Sequence, residues 1–269
     1  MKEAGGGTRM KYVGGLGLLL LLIGSYIGLF VAPAERHMGD VARIMYVHVP
    51  TAWVAMVCYT LAFVLAIVSL ATHDSRTSQG VFDSFDRKPP SWALGRLWVL
   101  WWLYIKVTDS PDARMVGAIE TGVVLNGLLL LQGMIWGRPT WGVWWDWDVR
   151  LTTSLVLFLL FAGVLALRSF VDEPRRRAAW SAVATIVAFI DVPLVYFCVR
   201  WWRSLHQVQS SPDTVDPMMV IPLRINAFAV LFLAMWMIHM RKRIELARRA
   251  NEETEEPERL PLQEEVEHA

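Results

Sequence analysis

Trp92-Ala-Leu-Gly-Arg-Leu-Trp-Val-Leu-Trp-Trp-Leu-Tyr-Ile-Lys-Val107 is apolar enough to be taken for a membrane span and charged enough to be refused as one. Its reading decides the architecture, because a span here inverts the side faced by every later loop. Six other stretches have the roughly 20 apolar residues that a bilayer core of about 30 Å requires. They run Val13 to Val31, Trp53 to Ala71, Val116 to Trp136, Leu151 to Leu167, Ala178 to Val199 and Val220 to Met240. With six spans and the N-terminus inside, 19 of the 26 Lys and Arg residues are cytoplasmic; the 7 outside are Arg36, Arg43, Arg138, Arg150, Arg200, Arg203 and Arg224. That is the bias that short basic loops impose. A seventh span would move Arg175, Arg176, Arg177 and the Arg241 to Arg249 cluster outside, against it. The segment therefore reads as an interfacial helix on the cytoplasmic leaflet, where Trp98, Trp101, Trp102, Arg96 and Lys106 suit the boundary. The expected fold is all-α, a polytopic membrane protein with six transmembrane helices and both termini cytoplasmic.

Composition supports the membrane assignment. In 269 residues, 55% are apolar and the mean hydropathy is +0.37, above what a water-facing globule carries. A net charge of +1 provides no field to recruit nucleic acid. Cys58 and Cys198 stand alone in apolar runs without a CxxC or CxxCH, which excludes a disulfide framework, a zinc knuckle and a c-type cytochrome. Lys2, Arg9 and Lys11 before the first apolar stretch and Ala32-Pro-Ala34 after it give it the look of a secretory signal. Its apolar core exceeds the usual length of about 7–15 residues, so it reads as a span. Residues 1–240 are expected to form the membrane domain, with a cytoplasmic insertion at about 73–103. Residues 241–269 are expected to form a charged tail, a short helical extension followed by disorder.

Topology sorts the six histidines by depth and side. His73 and His239 fall at cytoplasmic span ends and His268 in the tail, leaving His37, His48 and His206 to share an outer site. His48 lies in Tyr46-Val-His-Val-Pro-Thr-Ala-Trp53, where Pro50 and Thr51 mark the expected start of the second helix. His206 lies a few residues beyond the fifth span, in Val199-Arg-Trp-Trp-Arg-Ser-Leu-His-Gln207, at matching depth. Two imidazoles at one height on one face can approach a common centre, although either alone also reads as an interfacial cap. His37 has no fixing proline or aromatic neighbour, so a loop role is favoured there.

The loop between spans three and four, Trp136-Gly-Arg-Pro-Thr-Trp-Gly-Val-Trp-Trp-Asp-Trp-Asp-Val-Arg-Leu-Thr152, holds five of the chain's 14 tryptophans. Interfacial anchoring accounts for Trp136 and Trp141. It does not account for Trp144, Trp145 and Trp147 packed beside Asp146, Asp148 and Arg150. A flat apolar ligand needs such a cluster, with an Arg to address a polar edge. Haem, a planar macrocycle whose iron accepts an imidazole on each face, fits that description.

Residues 136–152 resemble the tryptophan-rich WWD signature of the haem-handling membrane proteins of cytochrome c maturation. The version here, Trp-Gly-x-Trp-Trp-x-Trp-Asp-x-Arg-Leu-Thr, is most similar to the haem exporter protein C (CcmC) family. His48 in His-Val-Pro-x-Ala-Trp and His206 in Arg-Trp-Trp-Arg-x-Leu-His-Gln match that family's two outer histidines, and the likeness covers most of residues 12–240. The resemblance implies transient binding of b-type haem at the outer face of a bacterial plasma membrane. It implies His48 and His206 as iron ligands, with Trp141, Trp144, Trp145, Trp147, Asp148 and Arg150 around the porphyrin. It also implies delivery to a CcmE-like haem chaperone, beside a CcmA/CcmB ABC transporter and a CcmD-like small subunit, with no bond made or broken by this chain. The 73–103 insertion departs from the family pattern. So does Asp146, a carboxylate that calls for compensation by Arg138 or Arg150.

Glu120, Asn126 and Asp191 fall inside apolar stretches, where an ionised side chain costs about 3 kcal/mol and must find a partner. Helix-to-helix hydrogen bonding is the favoured reading over a polar path. Pro193 and Pro222 are expected to bend their helices. Two other functions stay open. A b-type cytochrome subunit of electron transfer would bury its histidines within the spans, and none lies deep here. A secondary transporter with a midplane site would show repeats and broken helices, and no convincing repeat is visible.

Overall fold

The computed structural model describes residues 3–36, 38–73, 110–206 and 216–267. Every regular element among them is helical. Helix α1 (Glu3–Tyr26) continues through a π-helical turn, Ile27–Val31, and a 3-10 turn, Asp40–Ile44, leads into α2 (Met45–His73). Then come α3 (Pro111–Trp141), α4 (Val149–Ser169), α5 (Pro174–Phe189), α6 (Asp191–Trp201) and α7 (Pro217–Glu267). Six helical stretches are long and apolar enough to cross a membrane, with α5 and α6 together forming the fifth. The segment from Trp92 to Val107, the expected insertion beyond His73, and His37 lie outside the described residues.

The six expected stretches all recur, but the helices overrun them. The second begins at Met45 rather than near Pro50, so Pro50 lies inside the helix. The sixth passes residue 240 without interruption. Proline explains the divided fifth span: Pro193 has no N–H to offer the carbonyl of Phe189 four residues back, and the helix breaks beside it at Ile190.

Helix α2 is central, packing on α3, α5 and α7, while α1 lies along α7. The α1–α7 contact depends on small residues. A Cβ at Gly17 would meet the carbonyl of Ala229 at 3.1 Å, and one at Gly24 would collide with Asn226 Oδ1. Close approach of this kind replaces the hydrophobic drive that lipid removes. The main core stacks Tyr59 of α2 on Phe161 of α4, with centroids 3.9 Å apart, among Leu65, Met115 and Ile119.

Two of the three polar residues expected to need partners inside the spans find them on other helices, while Oδ2 of Asp191 is buried with no hydrogen-bond partner among the described residues. Asn126 donates to the Tyr59 hydroxyl and to the Ser154 carbonyl, each at 3.4 Å. Glu120 pairs with Arg241 of α7. Toward the same end of the bundle, Arg168 is buried between Asp112, at 2.8 Å, and Glu245, at 2.7 Å. Arg249 joins Asp112 and Glu245, and Arg177 reaches Glu252 at 2.9 Å. The continuation of α7 past 240 is thereby fastened to α3, α4 and α5.

Candidate functional site

At the opposite end, the start of α2, the end of α3, the start of α4 and the end of α6 converge. His48 is the fourth residue of α2. Because Pro50 carries no N–H, the carbonyl of Tyr46 has no partner within its helix. The buried Asn226 of α7 supplies one, donating through Nδ2 at 2.8 Å. The Thr51 hydroxyl donates to the Val47 carbonyl at 2.8 Å. His48 is thus carried by a helical turn that a neighbouring helix holds in place. Its ring lies against α3, where a Cβ built on Gly133 would meet Cε1 at 3.5 Å, an ordinary contact.

One turn further along α3 stands Trp136. Interfacial anchoring was its expected role, but only 3% of it is exposed. Its ring meets Trp141 edge-on at 4.8 Å and lies 6.2 Å from His206. Trp141 contacts the His206 ring edge-on at 5.0 Å. Helix α3 ends just beyond it. Gly142 takes a left-handed conformation with φ +81°, its N–H donates to the Arg138 carbonyl at 3.1 Å, and the Arg138 side chain donates to the Gly142 carbonyl. A left-handed C-terminal residue favours glycine. Arg138 therefore closes its own helix end, while Asp146 stays exposed.

The remaining tryptophans divide by exposure. Trp145 and Trp147 meet edge-on at 5.8 Å, and Trp144 and Trp147 are 55% and 74% exposed. Two large indoles held in the open at one end of a helix bundle form a surface with apolar area to spare.

Asp148 has the opposite environment. It is the N-cap of α4, accepting from the Arg150 backbone N–H at 3.0 Å, a role that suits an aspartate. Its carboxylate also accepts from the Ser204 hydroxyl at 2.9 Å and the Leu205 N–H at 2.9 Å. His206 Nδ1 lies 3.3 Å from the same carboxylate. Burial raises the affinity of Asp148 for a proton, but the bonds from Leu205, Ser204 and Arg150 outweigh it and hold the carboxyl below its ordinary value. For His206, burial and then the Arg150 charge oppose protonation more than Asp148 favours it, so its pKa is lowered. A neutral imidazole keeps a lone pair for a metal.

His48 and His206 lie within electrostatic reach of each other and of Arg150. Of the eight residues singled out from sequence, Trp141 and Asp148 lie directly against His206, His48 and Arg150 lie within its electrostatic reach, and Trp144, Trp145 and Trp147 stand in the loop that joins Trp141 to Asp148. Sequence reading missed Trp136, Ser204 and Asn226. A buried tryptophan and an interfacial one look alike in one dimension, and the other two act across 56 and 180 residues.

The donor set fits haem. The buried Nδ1 of His48 and Nε1 of Trp136 have no hydrogen-bond partner among the described residues. The Arg150 guanidinium makes no ion pair there either, which suits a carboxylate guest.

Comparison with known proteins agrees with this chemistry. A family model described as heme exporter protein C matches residues 5–80 and 95–256. The intervening 81–94 fall within the 73–103 segment. Heme exporter protein C of Bradyrhizobium diazoefficiens is 34% identical over 233 residues, covering 84% of this chain and 75% of that one. The protein of the same name from Haemophilus influenzae is 33% identical, covering 86% and 82%. That of Escherichia coli K12 is 30% identical, covering 84% and 79%. With the signature loop, both histidines and the six spans inside the matched regions, the chain belongs to the heme exporter protein C (CcmC) family and has its role in haem delivery for cytochrome c biogenesis.

Proposed function

We propose that this chain holds b-type haem transiently between His48 and His206 on the outer side of a bacterial plasma membrane and presents it to a CcmE-like chaperone. The observation that carries the reading is that two imidazoles from distant elements lie within electrostatic reach of each other, one of them against Trp141, at the foot of the loop that bears the exposed indoles of Trp144 and Trp147. Haem is cargo here. His48 and His206 offer a nitrogen to each side of the iron, the loop from Trp141 to Trp147 offers apolar faces to the ring, and Arg150 offers its cation to a propionate. The proposed role is binding and orientation of the macrocycle, with no bond made or broken by this chain. A CcmA/CcmB ABC transporter and a CcmD-like subunit are the proposed companions in the bilayer. Orientation follows the distribution of basic residues, which puts the tryptophan loop outside and both termini in the cytoplasm.

The test is an absorption spectrum of the detergent-purified protein, wild type beside variants. His48→Ala or His206→Ala should each lower haem occupancy, and the double variant should abolish it. Undiminished haem absorbance in the double variant rejects the ligand assignment. Cysteine labelling that placed positions 48 and 206 on opposite sides of the membrane would reject the site as a whole.

A further inference from the structure

Asp148 is more heavily bonded than helix capping requires. One acceptor oxygen satisfies the Arg150 N–H and completes the cap. The other contacts run to Ser204, Leu205 and His206, 56 to 58 residues away on the far side of the site. The Ser204 hydroxyl in turn accepts from the His206 backbone N–H at 3.0 Å, so backbone and side chain of the histidine are both tied to one carboxylate. That carboxylate is buried, with 9% of the residue exposed.

An ionised carboxylate can only accept hydrogen bonds. Nδ1 of His206 must therefore carry the proton it shares with Asp148, which leaves the lone pair on Nε2, the nitrogen at the other end of the ring. Trp141, edge-on at 5.0 Å, restricts rotation of that ring.

We infer that Asp148 is a positioning residue: it fixes the tautomer and direction of the His206 imidazole and ties the tryptophan loop to that ligand, so that indole shelf and iron-binding nitrogen form one unit. The inference rests on the haem-binding reading for its purpose, but not for its geometry. A carboxylate behind a ligating imidazole raises the basicity of the ligand, and loss of such a partner typically weakens metal binding about 10- to 100-fold.

The experiment uses the full chain in detergent. Without haem, nitrogen-15 NMR of labelled histidine should show His206 as the Nδ1–H tautomer in the wild type and shifted away from it in Asp148→Asn. An Nε2–H tautomer in the wild type overturns the inference whatever the protein binds. With haem added, Asp148→Asn should bind about 10- to 100-fold more weakly, with a more positive midpoint potential. Asp148→Ser keeps a good cap for α4 and should show the same losses, which separates positioning from helix stability. Added imidazole should restore the haem spectrum of His206→Gly but not of His206→Gly combined with Asp148→Asn. Unchanged affinity and potential in both Asp148 variants, beside a haem-binding wild type, sinks the inference and leaves the haem reading standing. A wild type with the Nδ1–H tautomer that takes up no haem sinks the haem reading and leaves the tether.

Discussion

The tryptophans of one loop have different physical tasks, and exposure separates them. Trp136 is packed away at 3% exposure, while Trp144 and Trp147 stand 55% and 74% exposed. Trp136→Ala should therefore cost about 3–5 kcal/mol, the range for an aromatic side chain cut out of a core, and thermal unfolding in detergent will show it. Trp144→Ala and Trp147→Ala should stay within about 0.5 kcal/mol of wild type, as surface changes do. Their effect should appear as faster loss of haem to a scavenging protein, with the bis-imidazole spectrum retained. Unaltered haem release in both would make those indoles anchors and no more. The sequence revealed the excess of rings but could not sort them, because burial depends on where α6 and its following loop fall. Asp148 was legible as a motif residue, and its capping of α4 came with the structure. Its hold on His206 was not, since no local pattern reports a contact across 58 residues.

At the scale of helices, apolar length identified all six spans, because a bilayer imposes that length directly. The helix ends were less legible. Proline normally marks a first helical turn, so Pro50 pointed to a start near itself, whereas the helix begins at Met45. The reason lies elsewhere in the chain: Asn226 satisfies the carbonyl that Pro50 leaves open. Asn226→Leu should accordingly leave the Tyr46 carbonyl buried and unpaired, costing about 1–3 kcal/mol. It should also weaken haem binding, because Tyr46 lies two residues before His48. A variant of unchanged melting temperature and haem affinity would show that the α2 turn supports itself. The polar residues within the spans followed the expected pattern in part. Glu120 and Asn126 stitch helices together, while one oxygen of Asp191 is buried without a hydrogen-bond partner among the described residues.

Over the whole molecule, the two ends of the bundle differ in chemistry. One gathers aromatic rings and imidazoles; the other holds the ionic network around Arg168. Removing one member of a buried ion pair typically costs about 3–5 kcal/mol, because its partners keep their charge without compensation. Arg168→Met should destabilise by that amount in a thermal melt while the spectrum of bound haem is unchanged at the far end. A shifted haem spectrum would reveal coupling along the helices. The arrangement also has a mechanical consequence. Helix α3 runs 31 residues from Pro111, next to Asp112 of the ionic network, to Trp141 beside His206, a length of about 46 Å at the usual rise. Pivoting it by one degree about its charged foot displaces its aromatic tip by about 0.8 Å. Such a sway is least where the arginines grip and greatest at the aromatic end, where the proposed haem site lies.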